Sequence, residues 1–313
     1  MHRLVGARIL GEERGVAMQS GLETKVLKNV SRSFYLSLRF LPKNFRPAAS
    51  LGYLLARMSD TFADATVWSV EERKELLEGF RTHVLEGRDF QCPEDREGLP
   101  EGEKVLLGHL EDCMDALVRL PEAEQAAIRK VVGIITEGQG WDLVRFDGAG
   151  VVSLDHDEEL RNYTYQVAGC VGEFWTEIGF ETDPGFSRCS RDEMNEWGRA
   201  YGRSLQLINV VRDVPEDWLN GRCYLPGVSS KKDLEAARGP WIDEALEGLE
   251  SAQRYSEALN GKRMRFATIL PALIGRETLL RLREASWKEW EEKVKVTRSE
   301  VRKMMFEAIR FAM

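Results

Sequence analysis

Apolar residues recur three and four positions apart along almost the whole chain, and this spacing constrains the fold more than any other feature. It is the spacing of α-helices that each bury one face. Alternating β-branched runs, which are typical of strands, are nearly absent. The pattern therefore predicts an all-α protein. The predicted helices cover residues 22–30, 46–66, 70–87, 102–119, 121–144, 157–179, 191–217, 232–259, 264–290 and 298–312.

Polar joints rich in glycine and proline separate these helices, and none has the length or composition of a flexible linker. The longest joint runs from Gly87 to Gly102 and contains Pro93 and Pro100. We therefore predict a single domain over residues 1–313. Residues 1–20 are predicted to be a short amino-terminal extension or a disordered segment.

The charge balance argues against a nucleic-acid partner. The chain has 44 Lys and Arg against 52 Asp and Glu, a formal net charge of −8, whereas proteins that bind a phosphate backbone are usually basic. A phosphorylated ligand would have to be bound by a local basic cluster or through metal ions.

The cysteines and the hydropathy pattern indicate a reducing compartment. The 5 cysteines are widely spaced and form no C-x-x-C pair, so neither a disulfide framework nor a zinc site is indicated. Glu12 and Glu13 come before any long apolar run at the amino terminus. A secretion signal needs such a run, so none is predicted here. No stretch approaches the roughly 18 apolar residues of a membrane span. We predict a cytoplasmic protein with at most peripheral contact to a membrane.

Several common site types are missing from the sequence. It has no P-loop, no G-x-G-x-x-G after a strand and no H-E-x-x-H. The 4 histidines lie near no nucleophile elbow and are interpreted as surface or packing residues. Carboxylates are the remaining candidates for chemistry.

The first acidic segment lies in the predicted helix 46–66. On this helix Arg57, Asp60 and Asp64 share one polar face, opposite Leu55 and Met58. Acidic pairs four residues apart arise about 8 times by chance in such a composition, so spacing alone proves nothing. The apolar surroundings are the informative feature, because a charged stripe on a buried helix must face a polar cavity, a partner charge or a metal.

The second acidic segment lies in the predicted helix 191–217. Its shared polar face consists of Gln206, Asn209, Asp213 and Asp217. Oxygen ligands without His or Cys suit Mg²⁺ or Mn²⁺, and Mg²⁺ commonly binds through one or two carboxylates together with substrate phosphates. Two such rows, with Arg57 and Arg212 nearby, predict a diphosphate site. The alternative that remains open is two structural Arg–Asp networks on a solvated surface.

Four blocks along the chain carry a resemblance to a known family. They are Ser31-Arg32-Ser33-Phe34-Tyr35, Tyr53 to Asp64, Tyr163 to Gly172, and Gln206 to Asp217 followed by Gly221-Arg222-Cys223-Tyr224-Leu225-Pro226. In this order they resemble the motifs of the squalene and phytoene synthases, which join two prenyl diphosphates head to head. The resemblance spans roughly residues 25–290 and implies an isoprenoid-synthase helical bundle around a central cavity.

The resemblance also implies roles for the acidic and basic residues. The implied Mg²⁺ ligands are Asp60, Asp64, Asn209, Asp213 and Asp217. The implied diphosphate-binding residues are Ser31, Arg32, Ser33, Arg57, Gln206, Arg212 and Arg222. Metal and guanidinium charge would pull on the leaving diphosphate, and the allylic cation left behind needs a dry, apolar cavity with aromatic faces.

The Tyr163 helix fits that demand in this interpretation. Tyr165, Gly169 and Gly172 share one face, and the small residues would leave room for a prenyl chain, although close helix packing would use them equally well. Tyr165 is the candidate for a catalytic phenol that handles a proton or stabilises a cation, and Tyr163 is assigned to packing. Cavity-lining and plain core roles both stay open for Phe34, Phe62 and Trp141.

Two departures from the family pattern bear on the site. Pro215 lies between Asp213 and Asp217, where it removes an amide hydrogen bond and is expected to aim Asp217 differently from Asp213. Gln166 stands where eukaryotic squalene synthases tend to carry Tyr, which makes Tyr165 the better match.

Squalene synthase is the activity that the resemblance favours. Two farnesyl diphosphates would condense through presqualene diphosphate, and NADPH would reduce it to squalene. Lys293, Lys295 and Arg298 are candidates for the cofactor phosphates, or else form a solvated basic turn. The alternatives are a phytoene or dehydrosqualene synthase without a reductive step, and a non-catalytic helical assembly protein. Product release would involve the peripheral membrane contact.

Overall fold

Helices account for almost all of the regular structure in the computed structural model, which describes residues 40–94, 97–148 and 150–313. The prediction of an all-α protein is confirmed. The predicted helix 22–30 and the block Ser31 to Tyr35 lie outside the described residues. The chain divides into two compact units, one ending at Thr136 and the other beginning at Glu137. The single domain over residues 1–313 stays a prediction.

The unit that ends at Thr136 is built from helices whose bounds follow the sequence pattern closely. They are α1 (Arg46–Asp64), α2 (Val70–Glu86), α3 (Glu101–Leu107), α4 (Leu110–Leu117) and the first part of α5 (Glu122–Arg145), in which the unit boundary falls. Ser69 and Glu72 form a reciprocal cap at the start of α2, and Gly87 ends it in a left-handed conformation with φ 69°.

Aromatic rings form the centre of this unit. Phe62 on α1 is fully buried, and its ring lies 5.5 Å from that of Phe80 and 5.7 Å from that of Phe90, measured between centroids. The structure therefore gives Phe62 the core role that the sequence left open. Burying rings of this size contributes about 1.5–3 kcal/mol each to stability, so α1 is firmly held where it carries Asp60 and Asp64.

The unit that begins at Glu137 contains the end of α5 and the remaining elements. Their bounds are β1 (Val152–Ser153), α6 (Asp157–Thr164), a π-helical turn (Tyr165–Gly169), α7 (Cys170–Thr182), α8 (Arg191–Leu219), β2 (Arg222–Cys223), a 3₁₀ turn (Lys231–Asp233), α9 (Leu234–Ala258), α10 (Lys262–Glu284), α11 (Trp287–Glu291) and α12 (Arg298–Ala312). The two short strands pair in parallel, with Val152 opposite Arg222.

Helix α8 is the central element of this unit. It packs against α7 and α9 and contacts α10, α11 and the π-helical turn. Leu207, Val211 and Val214 on its buried face join one apolar cluster with residues of α9 and α10. The opposite face is left for Asn209, Asp213 and Asp217.

Three predicted helices are interrupted. Helix 102–119 breaks at Gly108 and His109 into α3 and α4, helix 157–179 contains the π-helical turn, and helix 264–290 breaks at Ala285 and Ser286 into α10 and α11. Ser286 starts α11 with a reciprocal Ser286–Glu289 cap. Within the described residues, no helix combines the length and hydropathy needed to cross a bilayer.

Candidate active site

The first acidic row lies on α1. Asp60 is half-buried, with a side chain 42% exposed, and Asp64 is exposed. Arg57 Nη2 lies 2.8 Å from Glu103 Oε1 on α3, and its Nη1 lies 3.4 Å from Asp60 Oδ2. The sequence did not indicate Glu103, because it comes 46 residues later and belongs to no motif. Arg57 thus bridges two carboxylates, which is the arrangement expected if these residues form a structural Arg–Asp network.

The second acidic row lies on the last turns of α8. Arg212 Nε and Nη2 contact the two oxygens of Asp213, at 2.9 Å and 2.5 Å. One helical turn earlier, Asn209 Nδ2 donates to Gln206 Oε1 at 3.2 Å. The predicted anion-binding residue Arg212 and the predicted ligand Asp213 are therefore paired with each other.

Asp217, at the end of the row, has a strongly perturbed carboxyl group. Its pKa is raised from 3.8 to about 7, chiefly by burial and next by the negative charge of Asp213, with a smaller increase from Asp142, while the cationic Arg222 lowers it. Helix α8 continues through Pro215 to Leu219, and Asp217 is close enough to Asp213 for their charges to repel. Two carboxylates thus crowd together at the end of α8.

A second group of residues surrounds Asp142 at the end of α5. Arg222 Nη1 lies 2.9 Å from Asp142 Oδ2, and the Tyr224 hydroxyl donates to Asp142 Oδ1 at 2.6 Å. Asp142 is buried. The sequence placed Arg222 and Tyr224 in one motif but gave no sign that both would bind one carboxylate 80 or more residues earlier.

Tyr163 extends this group with its ring. The Tyr163 ring stacks on that of Tyr224, with the ring centroids 4.9 Å apart. The centroid of the Trp141 ring lies 6.0 Å from that of Tyr163. Trp141 also packs against the apolar cluster of α8. We call these five residues, Trp141, Asp142, Tyr163, Arg222 and Tyr224, the Asp142 cluster.

Tyr165, the predicted catalytic phenol, lies in the π-helical turn and has different neighbours. Its hydroxyl donates to Glu173 Oε2 at 3.3 Å, and Glu173 Oε1 lies 2.6 Å from Arg199 Nε. Burial and the Glu173 charge raise the pKa of the Tyr165 phenol. Arg199 precedes Asp213 on α8 by about 20 Å of helix. The catalytic role of Tyr165 stays a prediction.

The small residues after Tyr165 serve helix packing. A Cβ at Gly172 would lie 1.9 Å from the Gly198 carbonyl oxygen, and one at Gly202 would lie 2.2 Å from the Ala168 carbonyl oxygen. No side chain fits at such distances, so the backbones of α7 and α8 touch. The alternative of close packing is confirmed for Gly172, and the room for a prenyl chain expected beside it is filled by α8.

Comparison with known proteins decides the family. The model of the squalene/phytoene synthases matches residues 27–300. This chain belongs to the squalene/phytoene synthase family. The resemblance noted in its four blocks is confirmed, and it places the chain among prenyltransferase-type enzymes of isoprenoid biosynthesis.

The relatives of this chain carry mixed names. A bifunctional lycopene cyclase/phytoene synthase of Phaeosphaeria nodorum is 28% identical over 77% of this chain and 39% of its own length. A presqualene diphosphate synthase of Zymomonas mobilis is 28% identical over 85% of this chain and 84% of its own length. A squalene synthase of Schizosaccharomyces pombe is 24% identical over 69% of this chain and 46% of its own length. The chain thus spans less than half the length of the first and third.

Solved structures show the same fold. TcSQS bound to a ligand superimposes with a TM-score of 0.79 at 22% identity, over 94% of this chain and 86% of that one. A dehydrosqualene synthase bound to a ligand superimposes with a TM-score of 0.65 at 20% identity, over 96% of this chain and 98% of that one. The predicted isoprenoid-synthase helical fold is therefore confirmed for this chain.

The donor chemistry of both rows fits Mg²⁺ or Mn²⁺. Each row offers two carboxylates, and neither offers a soft ligand. In the part of the chain that the structure describes, no three His, Cys, Asp or Glu side chains converge as a metal cluster. Such rows suit a metal that takes its other ligands from water and substrate phosphates. The crowded charge at Asp217 is further consistent with a cation there.

Two of the residues suggested for the NADPH phosphates have contacts within the protein. Lys293 Nζ lies 2.5 Å from Glu216 Oε2 on α8, in an exposed ion pair. The backbone carbonyl of Lys295 accepts a hydrogen bond from Arg281. The role of Lys293, Lys295 and Arg298 in binding cofactor phosphates stays a prediction from the sequence.

Proposed function

We propose that this chain is a squalene synthase, a Mg²⁺-dependent farnesyl-diphosphate farnesyltransferase that joins two farnesyl diphosphates head to head. Presqualene diphosphate would be the intermediate, and squalene the product when NADPH is supplied. The observation that carries the proposal is the acidic row of α8, where Asp213 and Asp217 crowd together beside the Asp142 cluster.

The acidic residues would hold the metal. Asp60 and Asp64 on α1, and Asn209, Asp213 and Asp217 on α8, are the proposed ligands. Bound Mg²⁺ would neutralise the diphosphate charge and make it a better leaving group. Asp213 is proposed as a catalytic residue in this sense, together with Asp60 and Asp64.

The arginines would bind and orient the diphosphates. Arg212 is paired with Asp213 and Arg222 with Asp142, so a diphosphate would compete for guanidinium groups that the protein already holds in place. The bidentate geometry of Arg212 suits phosphate oxygens as well as carboxylates. Gln206, Arg57 and the block Ser31-Arg32-Ser33 complete the proposed set of diphosphate-binding residues.

The aromatic residues of the Asp142 cluster would protect the cation. Tyr163, Tyr224 and Trp141 put ring faces next to a buried carboxylate, and ring faces tolerate positive charge. A proton leaving the substrate needs a nearby acceptor. Tyr165 is proposed as a relay that would take this proton on its hydroxyl oxygen as its own proton passes to Glu173 Oε2, and Tyr163 is the other candidate phenol.

A second candidate has a specific observation in its favour. The Zymomonas mobilis presqualene diphosphate synthase aligns along 84% of its own length and 85% of this chain. A chain of this size could therefore stop at presqualene diphosphate and leave the reduction to another protein. The phytoene and dehydrosqualene names among the comparisons keep a non-reductive product as the third alternative.

Product analysis tests these possibilities. The purified protein is incubated with Mg²⁺ and either farnesyl or geranylgeranyl diphosphate, with and without NADPH, and the extracted products are identified by mass spectrometry. Squalene that appears only with NADPH supports the proposal. Presqualene diphosphate in both arms supports the second candidate, and a desaturated C30 or C40 hydrocarbon formed equally in both arms supports the third. No turnover at all favours a non-catalytic assembly protein.

We also propose peripheral contact between α12 and a membrane, as a route for an apolar product. Met305, Phe306 and Ile309 are exposed on this helix, with Arg302 and Arg310 nearby. An apolar stripe with basic neighbours suits an anionic lipid surface. Cosedimentation with anionic vesicles should fall in Phe306→Ser; unchanged cosedimentation would contradict this contact. The cytoplasmic location stays a proposal.

A further inference from the structure

Pro215 creates a specific defect in the middle of the acidic row. It lies inside α8, where each residue normally donates its backbone N–H to the carbonyl four residues earlier. Proline has no N–H, so the carbonyl of Val211 loses its helical donor. Val211 is fully buried, so water is a poor substitute, and an unpaired buried carbonyl is costly.

Trp290 supplies the missing donor. Its indole Nε1 donates to the Val211 carbonyl oxygen at 2.8 Å, although 79 residues separate them. The Trp290 side chain is itself fully buried. We infer that Trp290 replaces the amide that Pro215 lacks and so holds the turn of α8 that presents Asp213 and Asp217. The last part of this inference rests on the proposed function, because it takes the two aspartates as metal ligands.

Several contacts fix the indole of Trp290. The Arg238 guanidinium carbon lies 4.8 Å from the centre of its ring, and Arg238 Nη2 donates to the Ala285 carbonyl at 2.6 Å, just before α11. The ring of Trp287 packs edge-on with centroids 5.4 Å apart. Trp290 is therefore positioned by its own surroundings rather than by Val211 alone.

A second contact joins the same segment to α8 on the other side of Asp213. Lys293 Nζ lies 2.5 Å from Glu216 Oε2. The segment from Trp290 to Lys293 thus contacts α8 at residues 211 and 216, which bracket Asp213 and Pro215. Trp290 acts on the site through this turn, so we describe it as a positioning residue.

Pro240 in α9 offers a contrast within the same unit. Its helical acceptor would be the carbonyl of Ala236, and both residues are exposed. Water can solvate that carbonyl, and no special donor is needed. The two prolines thus differ in the burial of the residue that loses its helical donor, which is fully buried at Val211 and exposed at Ala236.

The experiment is a double-mutant cycle with Trp290→Phe and Pro215→Ala. Trp290→Phe removes the N–H and some volume, and Pro215→Ala restores a backbone N–H for Val211. In the wild-type background, Trp290→Phe should raise the unfolding equilibrium constant roughly tenfold or more. In the Pro215→Ala background the effect should be several-fold smaller, because the loss of volume remains but the carbonyl keeps a donor.

A second readout follows the position of the aspartates. Mn²⁺ binding, measured by the EPR signal of the unbound ion, should weaken at least about threefold in Trp290→Phe and recover in the double variant. Pro240→Ala serves as the matched control, because it changes an interior proline of α9 away from the acidic row, and it should leave Mn²⁺ affinity unchanged.

Clear outcomes would overturn the inference. Equal losses of stability in the wild-type and Pro215→Ala backgrounds would show that Trp290 acts through its volume alone. The same conclusion would follow if Trp290→Phe were unfolded both alone and in combination with Pro215→Ala. Restored folding in the double variant would support the inference. If the wild-type protein binds no Mn²⁺, the proposed metal site fails, while the stability cycle still decides whether Trp290 replaces the missing amide.

Discussion

Tyr224 donates its hydroxyl to Oδ1 of Asp142 at 2.6 Å and so joins the residue after β2 to the end of α5. Asp142 Oδ2 is bound by Arg222 at 2.9 Å. Both carboxylate oxygens of one buried aspartate are therefore held by a single three-residue segment. This arrangement keeps Arg222 next to Asp217, where its charge lowers the carboxyl pKa against the effect of burial.

Replacing Tyr224 by Phe tests that arrangement. The variant leaves one oxygen of a buried carboxylate without its donor, so we expect a loss of about 1.5–3 kcal/mol in the free energy of unfolding, measured by urea denaturation. Tyr255→Phe is the matched control, because the Tyr255 hydroxyl has a neutral partner, Thr176 Oγ1, at 3.0 Å. It should cost only about 0.5–1.5 kcal/mol. A larger loss in the control would refute the importance of the charged acceptor.

Asp213→Asn and Asp60→Asn test the two acidic rows. Each change removes a negative charge with little change of volume, so catalytic efficiency with farnesyl diphosphate and Mg²⁺ should fall at least about 100-fold. Far-ultraviolet circular dichroism should stay that of the wild type. Glu196→Gln, an exposed acid on the same helix as Asp213, is the control and should stay active. Near wild-type activity in either aspartate variant would remove that residue from the proposed metal ligands.

Tyr163→Phe and Tyr165→Phe compare the two candidate phenols. The sequence favoured Tyr165, but the Tyr165 hydroxyl is bound to Glu173, whereas the phenol of Tyr163 acts electrostatically on that of Tyr224 beside Asp142. We expect Tyr163→Phe to lower kcat at least about tenfold and Tyr165→Phe to lower it less. The reverse order, measured at saturating substrate, would return the catalytic role to Tyr165.

Asp217→Asn should stabilise the metal-depleted protein. The Asp217 pKa is raised from 3.8 to about 7 in the folded state, so the ionised carboxylate opposes folding above that pH, and the penalty disappears as the pH falls through about 7 towards 4. With EDTA present, the variant should melt about 2–4 °C above the wild type at pH 8, and the gap should shrink at pH 5. A variant that melts lower at pH 8 would contradict the crowding of Asp217 by Asp213.

The helices were predictable because their burial pattern is local. Periodicity placed α1, α2, α5 and α12 to within about two residues. The breaks at Gly108 and Ala285 and the π-helical turn were missed, since a continuing apolar pattern conceals them. The two acidic rows could be found from spacing, and the comparisons support the family that their motifs suggested.

The partners of the site residues could not be predicted. Glu103 reaches Arg57 from another helix, Asp142 collects Arg222 and Tyr224, and Trp290 meets Val211 across 79 residues. Such contacts depend on how helices pack, which local periodicity does not encode. Pro215 was recognised as a departure, but its consequence was expected to be a misdirected Asp217. Helix α8 continues past Pro215 with an indole as the substitute donor, and the altered aim of Asp217 stays a prediction.

The central claim is that this chain joins two prenyl diphosphates head to head at its aspartate rows. The most direct measurement is mass spectrometry of the diphosphates formed from farnesyl diphosphate and Mg²⁺ without any reductant. The account predicts a C30 diphosphate, presqualene diphosphate, that accumulates with the wild-type protein and is absent with Asp213→Asn. Farnesyl diphosphate that remains intact, or a C30 diphosphate formed equally by both proteins, would contradict it.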